Sequence, residues 1–179
     1  MRSLIILILV LSYSNAFTFN IWTSGMTMKN IKEISKDYSF TQKDNILKTK
    51  DNLYGEDRIV LLFFTKETNK LYKLTVNLDK EPKCFKKNLL GSIGVKYKKI
   101  RNPNKKKLSF KSFSSKIASK DTYWEIDKNS YLRFRESRAY NLNILEYINM
   151  DLEKVAKKEN IEFNKNKYNA LDKKDKHKL

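Results

Sequence analysis

The clearest pattern of apolar and polar positions runs from Arg58 to Leu78. Ile59, Val60, Leu61, Leu62, Phe63 and Phe64 form an unbroken apolar run, too short to span a membrane. Its β-branched and aromatic residues, bounded by polar clusters, predict a strand buried on both faces. Past Lys66-Glu67-Thr68-Asn69-Lys70 the pattern becomes alternation, with Tyr72, Leu74, Val76 and Leu78 on one side and Lys73, Thr75 and Asn77 on the other. The two runs predict a hairpin. Its apolar side, through Leu62, Phe64, Leu74 and Val76, is expected to meet Ile31 and Ile93 in one core.

Helical spacing appears on both sides of this hairpin. Met28, Ile31, Ile34 and Tyr38 give one apolar face, with Thr27 placed as N-cap and Met26 and Ile31 as a hydrophobic staple. Residues 39–57 read as polar and irregular. A second helix, with Pro82 in its first turn, carries the stripe Phe85, Leu89, Ile93, Tyr97 and Ile100, interrupted by Gly91 and Gly94. Arg101 to Lys107 is a basic loop, and residues 108–120 read as a strand or a flap. Three short strands follow. Trp124 and Ile126 share a face in the first, Leu132 and Phe134 in the second, and Tyr140, Leu142 and Ile144 in the third. Asp151 is placed to cap a short last helix through Leu152, Val155 and Ala156. The sum is an α+β fold with helices on one face of a mostly antiparallel sheet, in the order α-β-β-α-β-β-β-α. Helix and hairpin followed by helix and strands make two loosely similar halves.

The ends add compartment and boundaries. Met1-Arg2-Ser3, the apolar run Leu4 to Leu11, and Ser14-Asn15-Ala16 meet the three-part pattern of a secretory signal peptide. Cleavage is expected after Ala16, so residues 17–163 form one domain in the periplasm or secreted, with no membrane-spanning segment left. Residues 164–179, rich in Lys, Asn and Asp, read as a disordered basic tail. The chain carries a net charge of +18, and losing Arg2 with the leader makes it +17. Such an excess suits an anionic partner, or reflects a composition in which Lys is the default cation; no specific nucleic-acid motif accompanies it. Where Lys is the default, the few Arg are the more informative cations, since only Arg offers a planar fork.

Gly25-Met26-Thr27-x-x-x-Ile31 resembles the Gly-Met-Thr-x-x-x-Val helix start of small envelope proteins, among them the SmpA/OmlA outer-membrane-assembly lipoproteins, β-lactamase-inhibitor-like domains and uncharacterised periplasmic relatives. The resemblance covers some ten residues. It implies helices on one face of an antiparallel sheet and a role in binding, inhibition or scaffolding. The chain departs from the lipoproteins in having no lipid-attachment cysteine and no Gly-x-Pro after the first helix.

Chemistry-bearing residues are few. His177 is the one histidine and stands near the C-terminus, which disfavours histidine-based hydrolases and zinc sites. No Gly-rich phosphate loop is present, and no cofactor is expected. Glu125 and Glu136 are the carboxylates that paired strands could bring together for a hydrolase. Cys84, the one cysteine, sits among Lys83, Lys86 and Lys87 at a helix start, either as a redox-responsive thiol or intermolecular disulfide or as a half-buried small hydrophobe beside Phe85. Tyr131, Arg133 and Arg135 share one side of a strand with Arg138 just beyond, either as a ligand-binding patch for carboxylate or phosphate or as a solvated sheet face with Glu partners. The expectation is a non-catalytic binding or adaptor protein of the bacterial envelope, meeting an anionic or protein partner. A carboxylate-dependent hydrolase and a secreted inhibitor or effector are the alternatives.

Overall fold

A computed structural model describes residues 16–53, 55–78, 83–103, 120–137 and 142–176. The signal segment up to residue 15, the 108–119 stretch, Arg138, Tyr140 and His177 lie outside the described residues.

The central hairpin forms as expected: β5 (Glu56–Phe64) pairs with β6 (Leu71–Asn77), with Leu62 opposite Leu74 and Val60 opposite Val76. Those four residues, with Phe64, Ile31 and Ile93, lie in one buried cluster. The apolar run is not buried on both faces, however. Its residues alternate, and Ile59 is exposed while Leu61 and Phe63 are half-buried on the far side. A register shift at Phe63/Phe64 also carries Leu71 into the core and leaves Tyr72 half-buried.

Residues 39–57, expected to be irregular, contain β3 (Thr41–Lys43), β4 (Ile46–Leu53) and the start of β5. The alternation in β4 is disguised because two of its buried positions are polar. Thr49 donates to the Ser39 carbonyl at 2.9 Å, and Asp51 accepts from the Tyr38 hydroxyl at 2.9 Å. Each buried polar group thus has a partner, which is what lets it occupy a core-facing position.

On the core face lie α1 (Met28–Ile34) and α2 (Lys83–Lys96). Thr27 caps α1 as expected: the Asn30 amide donates to Thr27 Oγ1 at 3.1 Å, and the Asn30 side chain returns to the Thr27 amide. Gly25, with φ near +90°, makes the bend before it, a conformation that a side chain would disfavour. The helix ends at Ile34 rather than Tyr38, whose hydroxyl serves Asp51 instead. In α2 the stripe holds for Leu89 and Ile93, but the helix stops at Lys96 and Ile100 belongs to the short strand β7 (Lys98–Ile100). Before α1, β1 (Thr18–Phe19) and β2 (Trp22–Thr23) form a small hairpin that tucks Phe17, Phe19 and Trp22 under the helices.

Three longer strands complete the sheet: β8 (Lys120–Asp127), β9 (Ser130–Ser137) and β10 (Leu142–Asn149). The order is β3-β4-β5-β6-β10-β9-β8-β7, and every neighbouring pair is antiparallel. Each half is therefore a helix followed by a four-stranded meander, joined through the last strands, β6 and β10. The eight-stranded sheet has three strands more than the α-β-β-α-β-β-β-α expectation, and the β1–β2 hairpin adds two outside it. The third of the predicted short strands also runs further than Ile144, and its core residue is Leu145.

The last helix, α3 (Met150–Lys176), departs from the expected single-faced packing. Met150 packs with Tyr123, Tyr131 and Ile148 on the opposite side of the sheet. Its cap is Asn149, whose Oδ1 accepts from the Leu152 amide at 3.1 Å, and not Asp151. The helix continues through residues 164–176, the stretch that composition predicts to be disordered.

Candidate functional site

The strand assignment places Tyr131, Arg133 and Arg135 together, opposite Leu132 and Phe134, as expected. Their surroundings differ from expectation. Tyr131 is only 1% exposed and belongs to the small cluster under α3. Arg133 is bound by Glu146, its direct cross-strand neighbour on β10, and Glu146 is itself buried. Arg135 faces Asp121 on β8, with Nε 3.6 Å from Oδ1, and the Tyr123 hydroxyl donates to Asp121 at 3.1 Å. Two acids from flanking strands therefore meet the two cations expected to serve an external anion. Burial pulls the Arg133 pKa down, but the hydrogen bond and charge of Glu146 outweigh it and leave the pKa raised. Lys73 joins this face between Phe63 and Ile148, its ammonium 4.0 Å from the Phe63 ring centroid. Burial lowers its pKa despite the nearby Glu146.

The Glu125–Glu136 pairing does not form. Glu125 stands opposite Tyr131, while Glu136 stands opposite Lys120 at the other end of the β8–β9 ladder. Glu136 also turns to the helix side, where Lys86 of α2 holds it at 2.5 Å. The two carboxylates thus lie on opposite faces and at opposite ends. Cys84 is exposed in the first turn of α2, so it is not the half-buried hydrophobe that one reading expected.

A different site emerges on the helix side, over the seam where the two halves join. A cavity of about 330 Å³ lies between α2, the N-terminal hairpin and the ends of β4, β5, β6 and β10. Leu53, Val76, Leu78, Leu89, Ile93 and Leu145 supply apolar walls, with Phe19, Tyr97 and Tyr147 as aromatic ones. Among the described residues the polar lining consists of Asn52, Ser92, Arg58 and Lys96, with no carboxylate.

Arg58 is the unusual member. It occupies the same parity of β5 as Val60, Leu62 and Phe64, so the strand turns it inward, and it is 5% exposed. Its Nε donates to the Leu53 carbonyl at 3.2 Å, and its guanidinium carbon sits 4.7 Å from the Phe85 ring centroid. These contacts fix the side chain against the wall of the cavity. Burial lowers the Arg58 pKa, partly offset by exposed Glu56. Asp51, its cross-strand neighbour, directs its two oxygens to the Tyr38 hydroxyl and the Asn20 side chain. Lys96, at the end of α2, brings a second cation to the rim. A cavity of this size, mostly apolar with a few converging polar groups, has the make-up of a small-molecule site.

Among the described residues, no group of acidic, histidine and cysteine side chains is arranged to hold a metal ion, and no helix is long and apolar enough to cross a membrane. No protein-family model, no curated protein and no solved structure matches the chain.

Proposed function

We propose that this is an exported, non-catalytic binding protein of the bacterial envelope, and that the cavity at the seam is where it holds its ligand. The observation that carries the reading is the cavity lining: apolar walls and, among the described residues, two cations and no carboxylate. That set can hold an anionic or weakly polar ligand but offers no acid–base pair to turn it over. The separation of Glu125 from Glu136 removes the pair on which the hydrolase alternative rested. The basic excess of the chain suits attraction of anionic ligands and surfaces at long range. Export rests on the signal-type segment Met1 to Ala16; Phe17, the expected first residue after cleavage, is fully buried.

Native mass spectrometry of protein recovered from the envelope or medium of its own host tests both parts. The polypeptide is expected to start at Phe17 and to carry a small bound mass, which Ser92→Trp removes by filling the cavity from its exposed rim. A chain retaining Met1 in the cytoplasm would sink the export reading. A bound mass indifferent to Ser92→Trp would place the ligand elsewhere.

A further inference from the structure

The hydrophobic core closes completely at its centre and incompletely at the seam. Val60, Leu62, Phe64 and Leu74 are fully buried, whereas Phe19, Leu89 and Ile93, which line the cavity, each keep 7–8% exposure. Leu145 and Val76, cross-strand neighbours on β10 and β6, line it as well. About 330 Å³ is left between α2 and the sheet. At the density of liquid water that space holds roughly ten molecules. A buried water is held by about two to four polar partners, and these walls offer aliphatic and aromatic carbon. Water so placed is poorly ordered, and an apolar group that displaces it gains affinity.

Ser92 and Lys96 stand about one helical turn apart on α2. Both line the cavity and both are exposed, so this part of the polar lining lies at the mouth and not at the bottom. A ligand with an apolar body and one polar end fits that division, with the body against Val76, Ile93 and Leu145 and the end in water. Further polar atoms along the body would cost free energy, since the aliphatic walls give them no partner. None of this depends on the sign of the charge at the rim. The volume is near the lower end of the range for ligand sites and suits one chain. A chain held at the mouth by its polar end is limited in length by the wall at the other end.

Resting on the reading of this cavity as the ligand site, we propose that it takes the hydrocarbon body of a single-chain amphiphile, with the polar end left at the mouth beside Ser92 and Lys96. The cavity selects the body by its apolar surface and its length, and not the head by its charge.

The test is isothermal titration of the purified full chain with hexanol, octanol, decanol, decanoate and sorbitol, each below the concentration at which it self-associates. The alcohols are expected to bind one to one. Affinity should tighten about fourfold per added methylene from hexanol to octanol, the gain from burying a CH₂, and level off once the chain fills the cavity. Decanoate is expected within about fivefold of decanol, the range of an exposed charge interaction. Sorbitol, which has hexanol's carbon chain with a hydroxyl on every carbon, is expected not to bind. Ser92→Trp should abolish binding of every amphiphile, and Val95→Trp, on the solvent-facing side of α2, should leave it unchanged. The chain-length series is read on the unaltered protein, so its result stands even where Ser92→Trp fails to fold. Equal affinities along the series, or sorbitol binding as tightly as hexanol, with Ser92→Trp blocking either, would keep the cavity as the ligand site and overturn the hydrocarbon assignment. Binding that Ser92→Trp leaves intact, or many molecules per chain, would overturn the cavity's role as well. If no amphiphile binds, the hydrocarbon assignment falls, and the native bound mass alone decides the ligand site.

Discussion

Single side chains decide which face of the sheet is available to a partner. Leu62 and Phe64 are fully buried at the centre of the core. Truncation of either to Ala is expected to cost roughly 2–5 kcal/mol, from lost burial plus the cavity left behind. A thermal melt unchanged by both substitutions would contradict the placement of the core. On the other face, Tyr131 gives a pH signature. Burial raises its phenol pKa above the ordinary 10.0, with Glu153 adding to the effect, and Tyr72, Tyr38 and Tyr123 are shifted the same way. A raised folded-state pKa means that the unfolded chain loses its phenol protons first. The stabilisation is therefore complete below about pH 10 and is lost as pH climbs through the folded-state values. Stability is expected to fall above about pH 10, less steeply in Tyr131→Phe, as followed by chemical denaturation across an alkaline series. Identical slopes in the two proteins would show that the phenol titrates as it does in water.

Residue parity made part of this legible in advance. The alternation Leu132/Phe134 against Arg133/Arg135 predicts which side chains share a face, and the strand has that arrangement. Glu partners were one of the two readings of this face, but which acids meet the cations was not legible. Glu146 lies beyond Ile144, the last position assigned to the predicted third strand, and Asp121 reaches Arg135 only through strand register. Pairing between strands is set by tertiary contacts, which no local window contains. Arg58 carried a usable signal: it shares the parity of Val60, Leu62 and Phe64, so the same counting that places the core places this arginine inside it.

Elements show where local pattern is strong and where packing overrides it. The cap of α1 and the stripe of α2 follow directly from sequence, because both depend on neighbours a few residues apart. β4 does not, since buried Thr49 and Asp51 break the apolar alternation that would have marked it. The edge strands β3 and β7 are short and carry Lys43, Lys98 and Lys99, a composition that discourages pairing with another chain. For α3, low apolar content predicts disorder past Asn164, yet the helix runs on to Lys176. Its first half is docked, and a docked segment supplies the nucleus from which a helix extends. Glu159 does the docking: buried on α3, it accepts from the Glu67 amide at 3.0 Å and from the Thr68 hydroxyl at 3.2 Å. Lys66 stacks over Phe163 beside it. Replacing Glu159 by Ala leaves the β5–β6 loop amides without this acceptor, and a loss of about 1–3 kcal/mol is expected. Hydrogen exchange should then speed up at Glu67 and Thr68 while β5 keeps its protection. Unchanged exchange at both amides would mean that the helix is held by other contacts.

At the scale of the whole molecule, two helix-plus-meander halves join edge to edge through β6 and β10, and the joint creates the cavity. Neither half alone encloses it: β4, β5 and β6 come from the first, and α2 and β10 from the second. The division into two halves is visible in the sequence as two helices each followed by strands. The cavity is not, because its lining residues stretch from Phe19 to Tyr147 and converge only once the central strands pair. The proposed ligand site thus lies not on the Tyr131-Arg133-Arg135 face, where acids already meet the cations, but on the opposite face, in the cavity over the seam.

That relocation is testable in one titration. Amide chemical shifts of the labelled protein, followed by two-dimensional NMR as decanoate is added, report which face responds. The account predicts saturable shifts at Leu53, Val76, Ile93 and Leu145, with Arg133 and Arg135 unmoved. Shifts concentrated at Tyr131, Arg133 and Arg135, with the cavity residues silent, would contradict it.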